Sequence, residues 1–258
     1  MIGAIAGDVI GSIHEYLGTK SMDFELFAPE CRFTDDSVLT VAVADCLMNG
    51  LDYVDAFHEY VLAYPDAGYG LRFFQWASSR SRLPYNSWGN GSAMRVAPVA
   101  YAFDSLEEVR AHAARSAEVT HNHPEGIKGA QATAVAVFLA RRGESKATIK
   151  TSLQRAFGYN LNQRLDDLRP MYRFNESCQG TVPQALIAFL ESTGYEDAVR
   201  KAISLGGDAD TLGCITGAIA EAHYGVPADI AEKTMSALDD RLRGVVVTFC
   251  QRYGIGAV

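Results

Sequence analysis

The stretch Ser204–Gly225, SLGGDADTLGCITGAIAEAHYG, decides the fold. A flexible pair, Gly206 and Gly207, leads into two carboxylates, Asp208 and Asp210, and then Thr211. Apolar and small residues follow at helical spacing until Gly225 stops them. Gly213 and Gly217 fall four residues apart, on one face. Glycine inside a helix costs about 1 kcal/mol relative to alanine. A row of them points to another backbone packed closely against that face, or to a nearby ligand, and packing is the favoured reading. The N-terminal segment carries a similar row, Gly3, Gly7 and Gly11.

Working outward, helical periodicity dominates. Residues 3–16, 37–49, 52–63, 105–118, 125–142, 145–157, 183–193, 196–205, 211–224 and 229–251 each read as helix. Gly50, Gly143, Gly158, Gly194 and Gly225 sit where helices should stop, and Pro124, Pro183 and Pro227 where they should start. The β-rich run VVVTF (245–249) lies inside a longer helical pattern. Polar loops occupy 14–36, 64–70, 80–92, 119–124, 159–181 and 206–210. The expectation is an all-α protein, one domain spanning 1–258, of about ten helices.

The chain has 258 residues, 48% hydrophobic and 21% charged, which is ordinary for a globular protein with a sizeable core. Its net charge of −8 argues against broad nucleic-acid binding, which needs a basic face. Five cysteines (31, 46, 178, 214 and 250), with no C-x-x-C, form neither a disulfide framework nor a zinc ribbon. The N-terminal stretch lacks a basic region and carries Asp8 within its apolar run, a poor signal peptide. No apolar run approaches a membrane span. The expected location is cytoplasmic, with no membrane partner.

A second acidic opener, RFTDDSVLT (Arg32–Thr40), mirrors the first. Thr34 or Asp36 can cap the helix that follows, which accounts for one polar group and leaves the second carboxylate unexplained. Taken together, Thr34, Asp35, Asp36, Asp208, Asp210 and Thr211 offer four carboxylates and two hydroxyls. These hard oxygen donors suit Mg²⁺, Mn²⁺ or Ca²⁺ rather than zinc. An EF-hand is excluded, because the twelfth position from Asp208 is Ile219, where a bidentate Glu is required. Asp8, among glycines, is a cap or a bond to a neighbouring loop. Glu15 sits near the end of the first predicted helix, a poor place for negative charge, and is a functional candidate.

In NSWGNGSAMRVAPVA (86–100), the small residues Gly89, Asn90, Gly91 and Ser92 precede a helix and would expose N–H groups suited to phosphate. In THNHPEG (120–126), His121 reads as a hydrogen-bonding group in a cleft; a zinc role lacks a third ligand at a helpful spacing. The polar loop FNESCQGTVP (174–183) has Phe174, with Tyr172 nearby, available for base stacking. G-x-S-x-G, H-E-x-x-H and Walker A motifs are missing, which removes serine-nucleophile, zinc-protease and P-loop readings.

Five segments in order, GDVIGSIHE, FTDDSVLT, GNGSAMR, THNHPEG and GGDADTLG, resemble the ADP-ribosylglycohydrolases, from Ile2 to beyond residue 225. The resemblance implies a compact orthogonal helical bundle with two Mg²⁺ (or Mn²⁺) at the bottom of a cleft. It implies metal ligation by Thr34, Asp35, Asp36, Asp208, Asp210 and Thr211, with Glu15 as a gating or metal-associated residue. It places Gly89, Asn90, Gly91, Ser92, Met94 and His121 against ADP-ribose, with Phe174 near the adenine and Gly207 beside the second acidic motif as a further contact.

The reaction implied is hydrolysis of the bond between ADP-ribose C1″ and an acceptor on a protein, nucleic acid or small molecule. Asp36 or Asp35 would serve as base or metal bridge, and Glu15 as a second catalytic candidate. The chain lacks the longer insertions of larger relatives, so the resemblance leaves the acceptor open. One rival is an all-α prenyl-diphosphate synthase, disfavoured because Leu39 stands three residues after Asp36 where D-D-x-x-D/E needs an acid. The other is a non-catalytic ADP-ribose-binding or immunity module.

Overall fold

The computed structural model describes residues 1–256 and contains helices but, among those residues, no strand. In chain order the helices are α1 (Ile2–Gly11), α2 (His14–Leu17), α3 (Asp35–Asn49), α4 (Tyr53–Ala63), α5 (Leu71–Ser78), α6 (Gly91–Met94), α7 (Val99–Ala102) and α8 (Leu106–Glu118). Then come α9 (Pro124–Arg141), α10 (Lys146–Phe157), α11 (Leu165–Leu168), α12 (Cys178–Glu191), α13 (Tyr195–Ile203), α14 (Ala209–Tyr224), α15 (Ala228–Ala237) and α16 (Asp240–Tyr253).

The apolar pattern sorts these helices into inside and outside. Every residue of α1 is buried, as is α14 from Ala209 to Glu221. A helix apolar on all sides belongs in the interior of an assembly. Here α14 is the hub, packed on α1, α9, α12 and α13. The outer helices α8, α10, α13 and α16 bury one stripe each and show charge on the other side. One continuous apolar core runs from Met1 to Cys250.

The glycine rows serve packing. A Cβ at Gly3 would lie 2.5 Å from the Gly217 carbonyl oxygen, and one at Gly7 would overlap the Gly213 carbonyl. The α1 and α14 backbones therefore touch along two facing rows. Glu221 of α14 locks the pair by accepting from the Ile2 N–H (3.1 Å) and Gly3 N–H (3.0 Å), which would otherwise be orphan donors. This close approach carries Asp8 of α1 to the start of α14.

Four sequence expectations need correction. The predicted helix 3–16 breaks at Ser12, whose hydroxyl donates to the Val9 carbonyl (2.8 Å) and competes for the acceptor that helix continuation needs. The break lets α2 set off separately and turns Glu15 toward the cleft. The predicted helix 229–251 divides at Leu238, because Asp239 caps α16 by accepting from the Leu242 N–H (2.9 Å). The helix expected to start at Pro183 starts at Cys178. Ser177 caps it, accepting from the Gly180 N–H (3.0 Å), and Pro183 lies inside α12. The amphipathic α5, and the short α6, α7 and α11, lie outside the segments whose periodicity predicts helix.

Candidate active site

The two acidic openers meet. Thr34 caps α3 as expected, its hydroxyl oxygen accepting from the Asp36 N–H (3.3 Å). Thr211 of α14 donates to Asp36 Oδ2 (3.3 Å), joining segments 175 residues apart. Carboxylate oxygens of Asp8, Asp36 and Asp210 all lie within 4.8 Å of one another, and all three residues are buried. Asp8, expected as a cap or a bond to a neighbouring loop, is the tie between α1 and α3. It accepts from the Thr34 N–H (2.9 Å), the Thr34 hydroxyl (2.6 Å), the Ser37 N–H (3.0 Å) and the Ser37 hydroxyl. The readable signal was a lone carboxylate in an otherwise apolar helix.

None of Asp8, Asp35, Asp36, Asp208 or Asp210 forms an ion pair among the described residues, and Asp36 Oδ1 is buried without a partner. Burial, followed by the charge of neighbouring carboxylates, pushes Asp35, Asp36 and Asp210 well above the ordinary carboxylate range. Burial raises Asp8 as well, against the pull of its hydrogen bonds. Glu15, half-buried, is raised by burial and then by the charge of Asp208. Clustered, unpaired hard oxygen donors with an orphaned carboxylate oxygen fit divalent cations. Thr34 retains one lone pair for such a role, because its hydrogen goes to Asp8 and its other lone pair to the Asp36 N–H.

Asp36 and Asp210 of this cluster line a cleft of about 320 Å³, with Asp8 behind them. Glu15, Asp35, Asp36, Asp208, Asp210 and Thr211 line it, and so do Gly89, Asn90, Gly91, Met94, His121 and Phe174. Ser92, Thr34 and Gly207 stand outside the lining. Ser92 is fully buried behind the wall, its hydroxyl donating to the Gly126 carbonyl (2.8 Å). Gly207 instead serves its loop: φ is +72°, and a Cβ would lie 2.9 Å from the Tyr172 ring. Asn90 braces the acids, its Nδ2 donating to Asp208 (2.7 Å) and to the Thr181 hydroxyl (3.1 Å).

Several lining residues were missed in sequence: Trp88 (43% exposed), Arg72, Tyr85, Arg95 and Glu176. Trp88 and Phe174 (57% exposed) give the cleft two uncovered aromatic side chains. Gly89 pairs with Ser177 in an isolated bridge, and the Asn90 N–H donates to the Glu176 carbonyl (2.7 Å), so the 86–91 and 174–177 loops form one rim.

The raised carboxylates predict how cations act on stability. A group with a raised folded pKa contributes stability that is fully present below its unfolded value, about 4, and lost as pH rises through the folded one. A divalent cation takes the place of those protons. Saturating Mg²⁺ should therefore raise the melting temperature more at about pH 8 than at about pH 5. Equal shifts at both, measured by thermal denaturation, would remove the cluster from cation binding.

With this geometry in place, the similarities are informative. A family model described as ADP-ribosylglycohydrolase matches residues 1–254. The chain is 28% identical to ADP-ribosylhydrolase ARH3 of Homo sapiens, over 88% of this chain and 84% of that protein. It is 26% identical to ADP-ribosylarginine hydrolase Tri1 of Pseudomonas putida (strain GB-1), over 90% of this chain and 72% of that one. A solved structure described as an ADP-ribosylglycohydrolase-related protein complex shares the fold, with a TM-score of 0.68 at 24% identity, covering 97% of this chain and 96% of its own. Among the described residues no helix is long and apolar enough to cross a membrane.

Proposed function

The chain belongs to the ADP-ribosylglycohydrolase family, and from that premise we propose that it is a metal-dependent hydrolase that frees ADP-ribose from an acceptor by cutting the bond at C1″. The observation that carries this reading is one cleft lined both by carboxylates that form no ion pair among the described residues and by a small-residue loop with aromatic side chains.

Thr34, Asp35, Asp36, Asp208, Asp210 and Thr211 would hold two divalent cations, Mg²⁺ or Mn²⁺. Such cations supply positive charge to orient ribose hydroxyls and to make water a better nucleophile. Asp8 supports this set from behind, fixing Thr34 and Ser37. The Gly89–Gly91 backbone receives the diphosphate, and Trp88 and Phe174 receive the adenine. In hydrolysis the water oxygen joins C1″, the bond from C1″ to the acceptor breaks, and the acceptor leaves with a proton. The sugar passes through an oxocarbenium-like state, which the surrounding carboxylates stabilise. Asp36 and Asp35 orient the reacting centre. Glu15, with its raised pKa and half-exposed carboxyl, is suited to moving the proton.

The test is a substrate panel: ADP-ribosylated Arg and Ser peptides, an ADP-ribosylated oligonucleotide and a small-molecule ADP-riboside, each with Mg²⁺, with Mn²⁺ and with chelator. Release of free ADP-ribose from at least one, lost with chelator, is expected. If ADP-ribose binds but no substrate is cut, the chain is a binding module and the hydrolase reading fails.

A further inference from the structure

The Arg95 side chain is fully buried, and among the described residues it has no carboxylate partner. Its guanidinium lies over the Phe57 ring (4.3 Å) and near the Phe73 ring (5.7 Å), which offsets part of the desolvation. Its Nε and Nη1 atoms have no hydrogen-bond partner among the described residues. A buried cation so poorly compensated is a cost to stability. Its two side-chain hydrogen bonds run from Nη2 to the Ser116 carbonyl and to the Thr120 hydroxyl, both 2.9 Å.

The Thr120 hydroxyl is also 2.8 Å from His121 Nδ1. Arginine can only donate, so Thr120 Oγ1 accepts from it. Thr120 is fully buried, and His121 Nδ1 is the one remaining group its hydroxyl hydrogen meets among the described residues. Were Nδ1 protonated, that hydrogen would have no acceptor, at the cost of a buried unsatisfied donor. The hydroxyl therefore donates to Nδ1, and the ring proton sits on Nε2. Nε2 has no protein hydrogen-bond partner among the described residues. It lies against the small-residue loop, where a Cβ at Gly91 would come within 3.2 Å and one at Gly89 within 3.5 Å. The ring lines the cleft.

We propose that Arg95 and Thr120 are positioning residues that hold His121 as its Nε2–H tautomer, so that it donates a hydrogen bond to an oxygen of the bound ligand beside the Gly89–Gly91 loop. The assignment of that oxygen to ADP-ribose rests on the function proposed above; the tautomer does not. Burial, then the positive charges of Arg95 and Arg72, hold His121 well below the ordinary histidine range, consistent with a neutral ring.

The test reads both parts separately. In the free protein labelled with ¹⁵N-histidine, with His121 signals assigned by their loss in His121→Gln, Nε2 should show as a protonated nitrogen and Nδ1 as an unprotonated one. Thr120→Ser should keep that pattern, and Thr120→Val should lose it. Titration with ADP-ribose should show affinity falling about tenfold in Thr120→Val, the scale of one hydrogen bond to a charged acceptor, and restored in Thr120→Ser. A purely packing role for Thr120 predicts the reverse, since valine keeps its shape and serine does not. A wild-type His121 protonated on Nδ1, or a folded Thr120→Val that binds as tightly as wild type, overturns the proposal. If Thr120→Val does not fold, the wild-type and Thr120→Ser spectra still decide. An Nε2–H signal in a protein that does not bind ADP-ribose supports the tautomer relay and overturns the reading of the ligand.

Discussion

Asp36→Asn is expected to abolish ADP-ribose release and, in the metal-free protein at about pH 8, to raise the melting temperature. Both effects come from the same carboxylate. Asp36 is buried and belongs to the Asp8–Asp36–Asp210 cluster; among the described residues one of its oxygens has no hydrogen-bond partner and no basic side chain pairs with the three acids. Asparagine keeps the shape and can still accept from Thr211, but it brings no charge to a cation. Loss of one member of a cooperating catalytic set commonly costs 10³-fold or more, and that is the expected loss in turnover. Without cations, the wild-type carboxylate at about pH 8 must either stay charged beside its neighbours or hold a proton against bulk solvent. Either route destabilises the folded chain, and Asn avoids both.

The sign follows from the raised pKa of Asp36, caused first by burial and then by Asp8 and Asp35. Stability from that group is present below its unfolded value of about 4 and is lost as pH rises. The advantage of Asn should therefore be about 1 kcal/mol, some 2–4 °C for a chain of this size, at about pH 8 and should vanish near pH 4. It should also vanish, and reverse, in saturating Mg²⁺. A variant that retained full turnover, or whose melting temperature fell equally at both pH values without metal, would contradict the role given to Asp36.

The acidic part of this candidate site is legible in the sequence for a local reason. A helix N-terminus announces itself through its cap, and Thr34 caps α3 as its position before the apolar run indicates. Carboxylates in excess of what capping needs then call for another explanation, which is how Asp35, Asp36, Asp208 and Asp210 stood out. The unread part depends on contacts between distant segments. Asp8 joins the cluster only because glycine rows bring α1 onto α14, and no local pattern states which glycines face each other. Nothing in the local pattern around Arg95 marks it as buried; its guanidinium lies against Phe57 and Phe73 from two other helices. Ser92 belongs to the small-residue loop in sequence but turns its hydroxyl to Gly126, because α6 has already begun at Gly91 and rotated that side chain away from the cleft. The early end of α1 shows the same limit: the apolar pattern continues through Ile13, while a single hydroxyl at Ser12 redirects the backbone.

That dependence of the site on glycine packing leads to the second large effect. Gly11→Ala should damage activity although Gly11 bears no functional group. A Cβ there would lie 2.5 Å from Asp210 Cα, 2.6 Å from the Ala209 carbonyl oxygen and 2.7 Å from the Asp210 nitrogen. All three are backbone atoms, so relief requires moving the start of α14 rather than turning a side chain. The first turn of α14 carries Asp210 and Thr211, and a displacement of about 1 Å at a reacting centre can cost 10²-fold in rate. Overpacking in a tight core costs about 1–3 kcal/mol, partly offset by the roughly 1 kcal/mol that alanine gains over glycine in a helix. The expected result is thus a folded protein, modestly destabilised, with turnover down about a hundredfold and Mg²⁺ affinity reduced. Gly244→Ala is the matched control. It lies inside α16, exposed, with nothing within 4 Å of the added carbon, and should keep full turnover with stability unchanged or higher. If Gly11→Ala matched Gly244→Ala in turnover and Mg²⁺ affinity, the α1–α14 contact would be a matter of stability alone, and the glycine row would have no part in setting the distance between Asp36 and Asp210.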